Sequence, residues 1–164
     1  MAVRIQATLP PREAVHFLAG LMEVDRTQVR ADLEAGRPAL AVTCGLLAGR
    51  IRYERRDPNE QWLTRNQVLQ GRQGDCEDLA AAVAAELHEA YFANGWMGAS
   101  TKPIPTLPRP PSSPDSWLST YSDETHYGPQ PVVYKARPGL FHVVVQVPGI
   151  GLVDPSVAGG MRRE

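Results

Sequence analysis

Cys76 is the residue best positioned for chemistry in this sequence, because it stands between a glycine loop and the start of a helix. The segment around it reads Gly71-Arg72-Gln73-Gly74-Asp75-Cys76-Glu77-Asp78. Asp75 can cap the helix and Asp78 can reach back in an approximate capping box, which puts Cys76 in the first turn. Unpaired amides and the positive end of the helix dipole there favour a thiolate and could hold an oxyanion. The position is therefore typical of a nucleophile.

The acidic neighbours of Cys76 act in the opposite direction. Asp75, Glu77 and Asp78 would raise the pKa of the thiol if they are ionised nearby, so activation also requires an imidazole base. A free cysteine is more often a small buried hydrophobe than a nucleophile, and Cys44 fits that description. It lies in the middle of a predicted helix on an apolar stripe, and we expect its side chain to point inward.

Four histidines are candidate bases, and the predicted elements separate them. His16 lies in the first predicted helix, His126 lies in a predicted loop, and His88 lies about three turns up the helix that Cys76 opens. His142 lies on a strand, where a rigid backbone can fix the distance between a sulfur and an imidazole. The alternative for His142 is a half-buried histidine of the sheet with no chemical role.

Asp154 follows His142 by 12 residues on a predicted return strand and could orient the imidazole as the third member of a triad. The register of the hairpin decides this. A loop of four residues, Pro148 to Gly151, puts Asp154 opposite Val145 on the wrong face, whereas an odd loop or a bulge puts it on the face of His142. On its own, Asp-Pro at 154–155 is a simpler signal for the start of a turn.

The elements that position these residues follow from hydrophobic spacing, and helices come first. The predicted helical segments are 11–23, 27–35, one that follows Leu40, Cys44, Leu47 and Ile51, a turn at 65–70, and a long alanine-rich helix from Asp75 to about Asn94. Strands are predicted at 132–134, 141–147 and 152–154, with His142 on the face opposite Phe141 and Val143. Helices followed by an antiparallel sheet predict an α+β domain.

A proline-rich insertion separates the Cys76 helix from the His142 strand. Six prolines between 103 and 114 exclude a helix or a central strand there, so we expect an extended or polyproline segment that stays irregular to about Gly128. It could be a lid, a substrate platform or a docking arm, or an exposed loop with no specific role. The aromatic residues that could serve such a role are Trp117, Tyr121 and Tyr127.

A glycine loop, a cysteine followed by acids, a strand histidine and an Asp-Pro in this order resemble the papain-like, transglutaminase-like cysteine enzymes. The bacterial branch, which includes periplasmic adhesin-cleaving proteases, is the most similar. The segments that carry the resemblance are Ile51-Arg52-Tyr53-Glu54, Gln61-Trp62-Leu63-Thr64, Gly74-Asp75-Cys76-Glu77-Asp78-Leu79-Ala80, Phe141-His142-Val143 and Leu152-Val153-Asp154-Pro155-Ser156. The resemblance implies a transglutaminase-like core over 38–164, with the insertion at about 101–131, after an N-terminal helical segment at 1–37.

The resemblance implies roles for individual residues. Cys76 would be the nucleophile, His142 the general base and acid, and Asp154 the residue that orients His142. The oxyanion donors would be the amide of Cys76 with the side chain of Gln70 or Trp62.

Metals are a separate question. In the adhesin-protease branch the acids beside the cysteine bind calcium, which Asp75 and Glu77 match, although helix capping also accounts for Asp75. Zinc is disfavoured, because one thiol is well placed and no paired Cys or His spacing occurs. No other cofactor is indicated.

Two functions from different classes remain open. The first is a thiol-dependent amide hydrolase, a cysteine peptidase or amidase acting on a protein or peptide through an acyl-enzyme, with a transglutaminase crosslink as the product if a lysine enters before water. The second is a structural or docking component that keeps the fold. The ending from Asp154-Pro155-Ser156 to Gly160-Met161 resembles transglutaminase-like genes among tailed-phage structural genes, which makes phage structural proteins candidate partners.

Composition narrows the partners and the location. The 164 residues include 17 basic and 18 acidic side chains, a net charge of -1, so charge provides no attraction to nucleic acid or to an anionic membrane. No apolar run is long enough to span a bilayer, and the N-terminus lacks the apolar core of a signal peptide. Cys44 and Cys76 are expected to be free thiols. We therefore expect a cytoplasmic protein, or a virion protein if it is encoded by a phage.

Overall fold

An α+β fold with helices ahead of an antiparallel sheet is what the chain adopts, as the sequence predicts. A computed structural model describes residues 5–6, 11–55, 61–92, 104–110, 117–119, 128–137 and 140–162. His126, Tyr121 and Tyr127 lie outside the described residues. The division of the chain at residue 37 stays a prediction.

Five α-helices are found among the described residues. They are α1 (Pro11–Glu34), α2 (Ala41–Leu47), α3 (Arg65–Gly71), α4 (Cys76–Leu87) and α5 (Pro155–Ala158), and a π-helical turn, His88–Phe92, continues α4. The predicted turn at 65–70 and the start of the long helix beside Asp75 are confirmed. Among the described residues, no helix is both long enough and apolar enough to cross a membrane.

The strands form three sheets in the described part of the chain. Their bounds are β1 (Ile5–Gln6), β2 (Arg52–Tyr53), β3 (Gln61–Trp62), β4 (Gln73–Gly74), β5 (Trp117–Ser119), β6 (Gln130–Arg137), β7 (Leu140–Val147) and β8 (Gly151–Val153). The main sheet is antiparallel in the order β5-β6-β7-β8, while β1 pairs with β3 and β2 runs parallel to β4.

The helix α4 is the centre of the fold. Its residues from Leu79 to Leu87 are buried, and α1 and β7 both pack against it. This stretch is apolar except for Glu86, so it must be covered on nearly all sides, and its alanines allow close approach of its neighbours. This burial fixes α4 against β7, so the helix start and the strand that carries His142 belong to one packed unit.

One helix, α1, replaces the two helices predicted at 11–23 and 27–35. Val15, Leu18, Met22 and Val29 form a continuous buried stripe across the predicted break. No proline or glycine falls between residues 23 and 27 to end the helix. The prediction of two helices was therefore wrong.

The orientation predicted for Cys44 is also wrong, because its side chain is exposed. Helix α2 buries Val42 and Leu46 instead. The physical reason is the buried carboxylate of Glu86, which accepts the amides of Val42 and Thr43 at 2.8 and 2.9 Å. This anchor turns α2 away from the face that the 4-3-4 spacing indicates.

The proline-rich insertion contains more structure than the sequence predicts. Residues 104–110 are neither helix nor strand, as expected, but Leu107 is 5% exposed and belongs to the main core. The strand β5 (Trp117–Ser119) pairs with β6 inside the stretch predicted to be irregular to Gly128. The 104–110 segment is therefore not exposed along its whole length, and its role stays a prediction.

Candidate active site

The first turn of α4 is fixed by a capping box. The carboxylate of Asp75 accepts the amide of Asp78 at 3.2 Å, and the carboxylate of Asp78 accepts the amide of Asp75 at 3.3 Å. The second oxygen of Asp78 accepts the amide of Leu63 at 2.6 Å, which ties the end of β3 to this turn. Gly74 is needed for the close approach, because a Cβ there would lie 3.1 Å from the Cβ of Asp78. The capping box predicted from sequence is confirmed.

Cys76 lies in this turn, 8% exposed, with acids close to its sulfur. Its thiol donates to Glu77 Oε2 at 3.0 Å. Burial raises the pKa of the Cys76 thiol well above its ordinary value, and Glu77 and Asp75 raise it further. The backbone of Val143 on β7 lies beside the sulfur and lowers the pKa, but it does not outweigh the other effects. The thiol is therefore protonated at rest and needs a base.

Glu77 is itself perturbed by the cluster. Burial and the neighbouring Asp75 raise its pKa to about 8, although the hydrogen bond from the Cys76 thiol lowers it. A glutamate with this pKa is mostly neutral at pH 7, which reduces its repulsion of a thiolate.

His142 and Asp154 form a buried pair on the main sheet. His142 Nε2 lies 2.9 Å from Asp154 Oδ2, and His142 is 6% exposed. Val147 pairs with Gly151 and Val145 with Val153, so the hairpin loop has three residues rather than four. An odd loop is the condition under which Asp154 shares the face of His142. The structure meets that condition.

Asp154 is also held by the backbone around it. Its Oδ1 accepts the amides of Ser156 and Val157 at 3.0 and 3.3 Å and thereby caps α5. Its own amide donates to the carbonyl of Pro108 at 2.7 Å. The turn-forming role that the Asp-Pro sequence suggests is therefore real and coexists with the contact to His142.

The sulfur and the imidazole are carried by elements that meet at Val143. Its backbone lies close enough to Cys76 Sγ to lower the pKa of the thiol, and His142 is the preceding residue on β7. The sulfur therefore lies beside the backbone of the His142 strand. With Nε2 engaged by Asp154, proton exchange with the thiol would pass through Nδ1.

The two side chains predicted as oxyanion donors lie in different environments. Trp62 is buried, and its ring packs at 4.6 Å, edge to face, against Phe17. Gln70 is exposed on the last turn of α3. Their role in binding an oxyanion stays a prediction.

Tyr53 is the site residue that sequence reasoning missed. It pairs with Gly74, two residues before Cys76, and its amide donates to the carbonyl of Gly159 at 2.8 Å. Burial raises the pKa of its phenol, and Cys76 and Asp75 add to this effect when they are ionised. Its only sequence signal was its place in the Ile51-Arg52-Tyr53-Glu54 segment.

The other described histidines lie elsewhere. His16 is exposed on α1. His88 Nδ1 lies 3.5 Å from Glu89 Oε1, and the His88 ring lines a cavity of about 160 Å³ with Met22 and Gln130. None of the three residues Cys76, His142 and Asp154 lines that cavity.

The calcium ligands implied by the resemblance do not form a site with the described residues. The carboxylates of Asp75 and Asp78 are occupied by backbone amides, and Glu77 accepts the thiol. Among the described residues, no group of three or more His, Cys, Asp or Glu side chains is arranged to hold a metal ion.

Comparison with known proteins adds no assignment. No family model matches the chain, and neither the curated proteins nor the solved structures give a significant match.

Proposed function

We propose that this chain is a thiol-dependent amide hydrolase, a cysteine peptidase or amidase with a transglutaminase-like core. Cys76 is the nucleophile, His142 the general base and acid, and Asp154 the residue that orients His142. The observation that supports this most is the buried 2.9 Å contact between His142 Nε2 and Asp154 Oδ2, on the strand whose Val143 backbone lies beside the Cys76 sulfur.

The chemistry would start with a proton transfer. The Asp154 carboxylate keeps a proton on Nε2 of His142, so Nδ1 is the basic nitrogen that takes the proton of the Cys76 thiol. The thiolate attacks the carbonyl carbon of an amide, and the amide of Cys76 at the start of α4 stabilises the oxyanion. The imidazolium then protonates the leaving amine, which leaves an acyl-enzyme on Cys76. Water, deprotonated by His142, attacks the acyl-enzyme and releases a carboxylic acid and the free thiol.

The acyl acceptor decides between hydrolysis and crosslinking. If the amine of a lysine reaches the acyl-enzyme before water, the same intermediate gives an isopeptide bond. A peptide with a reporter amine, incubated with and without a lysine analogue, separates the two products by mass spectrometry.

A docking component, for example of a tailed-phage particle, is the second candidate. The observation that favours it is the thiol of Cys76, which donates to Glu77 and has a raised pKa. A protein of this kind would keep the hydrogen bonds of the pair His142–Asp154 for stability alone. Its Cys76 would react slowly with electrophiles regardless of His142.

Alkylation of Cys76 tests the enzyme against the docking component. The exposed Cys44 would react in either case, so the experiment uses a Cys44→Ser background. Mass spectrometry follows the reaction with iodoacetamide near pH 6, and circular dichroism confirms that each variant is folded. If the protein is the proposed enzyme, Cys76 should be labelled fast, and the rate of labelling should be at least about tenfold lower in His142→Ala. Equal and slow rates in both proteins would contradict the proposal.

A further inference from the structure

The 104–110 segment of the proline-rich insertion lies against the acid of the proposed triad. The carbonyl of Pro108 accepts the amide of Asp154 at 2.7 Å. The segment is neither helix nor strand, so this contact is not part of a regular sheet ladder. It joins Pro108 to Asp154, which lie 46 residues apart in the sequence.

Leu107 is what fixes this carbonyl in space. Its side chain is 5% exposed and belongs to the main hydrophobic core, together with Val143 and Val153. The neighbouring Thr106 and Arg109 are exposed, so Leu107 is the inward anchor of this part of the segment. The prolines at 105, 108 and 110 restrict the backbone on both sides of the anchor. A buried leucine beside a restricted carbonyl holds that carbonyl in one position.

Asp154 needs this support because it stands where the sheet ends. The last residue of β8 paired with β7 is Val153, and Asp154 is fully buried. A buried amide without an acceptor costs about as much as a lost hydrogen bond. The Pro108 carbonyl supplies the acceptor, while α5 fixes Oδ1 and leaves Oδ2 directed at His142.

We propose that Leu107 is a positioning residue for the proposed triad: through the Pro108 carbonyl it holds Asp154 at the place from which it orients His142. This inference rests on the proposed function for its catalytic consequence. A productive site tolerates displacements of only about 0.5 Å, so a segment that shifts when the core anchor is lost moves the acid out of range. The proline-rich insertion is thus a supporting part of the site.

The test compares Leu107→Ala with a volume-conserving variant and with control variants, all in the Cys44→Ser background. Two readouts are used: the exchange rate of the His142 Nε2 proton with water, by NMR with labelled histidine, and the rate of Cys76 alkylation at pH 6. Leu107→Ala should raise the exchange rate and lower the alkylation rate, each at least about tenfold. Leu107→Met keeps the volume of the side chain and should restore both rates.

The controls separate positioning from stability. Leu18→Ala removes an equally buried leucine from α1 and should lower the melting temperature while leaving both rates unchanged. Arg109→Ala, exposed on the same segment, should change nothing. If Leu107→Ala does not fold, Leu107→Val takes its place, because it removes less of the side chain and should change both rates in the same direction by a smaller factor.

Two results would overturn the inference. One is a Leu107→Ala protein that loses stability as Leu18→Ala does while the His142 Nε2 proton exchanges at the unchanged rate. The other is a change in that exchange rate that Leu18→Ala reproduces. If Cys76 is unreactive even with the native Leu107, the proposed function fails, but the exchange rate of the His142 proton still reports on the positioning of Asp154.

Discussion

His142 and Asp154 meet because the turn between their strands has three residues. Val147 pairs with Gly151, and the 2.9 Å contact between Nε2 and Oδ2 follows from that register. A turn that took in Gly151 as its fourth residue would shift the pairing, place Asp154 opposite Val145 and so put it on the opposite face of the sheet. The proposed triad therefore depends on the length of one hairpin loop.

Asp154→Asn should cost stability as well as reactivity. Both oxygens of Asp154 act as acceptors, one for α5 amides and one for His142. An amide side chain has one acceptor oxygen, so one of these donors must face an NH₂ group. We expect the free energy of unfolding to fall by about 1–3 kcal/mol, measured by urea denaturation. This double role would be contradicted if Asp154→Asn changed neither the urea midpoint nor the exchange rate of the His142 Nε2 proton with water.

Asp25 should make stability depend on pH. Its Oδ1 accepts the amide of Arg65 at 2.7 Å, and Oδ2 has no hydrogen-bond partner among the described residues. Burial raises the pKa of Asp25 from 3.8 to about 7, so between these values the native state holds a proton that the unfolded chain has lost. The stability gained from that proton is complete below pH 3.8 and is lost as the pH rises through about 7.

Asp25→Asn tests this pH dependence. Its amide oxygen can still accept the Arg65 amide, but the side chain carries no charge at any pH. Relative to the native chain, we expect the variant to gain about 2.5 kcal/mol of unfolding free energy between pH 5 and pH 8. Asp32→Asn is the control. Burial opposes the shift, but hydrogen bonds from Arg65 and Arg37 lower the pKa of Asp32, so it should show no such gain in this range.

Replacing only one member of the buried ion pair of Arg65 and Glu86 should lower the free energy of unfolding strongly. Arg65 is fully buried, and its Nε lies 2.7 Å from Glu86 Oε1. Arg65→Met leaves Glu86 as a buried carboxylate without its cation, which typically costs about 3–5 kcal/mol. Arg37→Met is the matched control, because Arg37 pairs with Asp32 at the surface and should cost less than about 1 kcal/mol. Equal losses in urea denaturation would contradict the prediction.

Two glycines should respond to alanine in opposite ways. A Cβ at Gly159 would lie 2.7 Å from the backbone nitrogen of Tyr53, whereas a Cβ at Gly20 on α1 meets nothing within 4 Å. Gly159→Ala must displace backbone beside the site and should lower the melting temperature. Gly20→Ala should raise the free energy of unfolding by about 0.5–1 kcal/mol, because alanine favours a helix. Thermal unfolding of both variants measures the contrast.

The sequence by itself determined the features that depend on neighbouring residues. The capping box of Asp75 and Asp78 and the start of α4 at Cys76 follow from side chains within one turn of each other. The strand that carries His142 follows from a run of β-branched residues, and its partner strand follows within a few residues. The sequence also predicts the contact of His142 with Asp154 on one condition. The hairpin loop between their strands must have an odd number of residues or a bulge.

Tertiary structure decided what depends on distant residues. Cys44 is exposed because Glu86, 42 residues further along by their numbers, binds the start of α2. The acceptor for the Asp154 amide is the Pro108 carbonyl, which no local pattern indicates. Periodicity and capping are encoded over three or four residues, whereas the side of a helix that faces the core is set by the group that reaches it from another element.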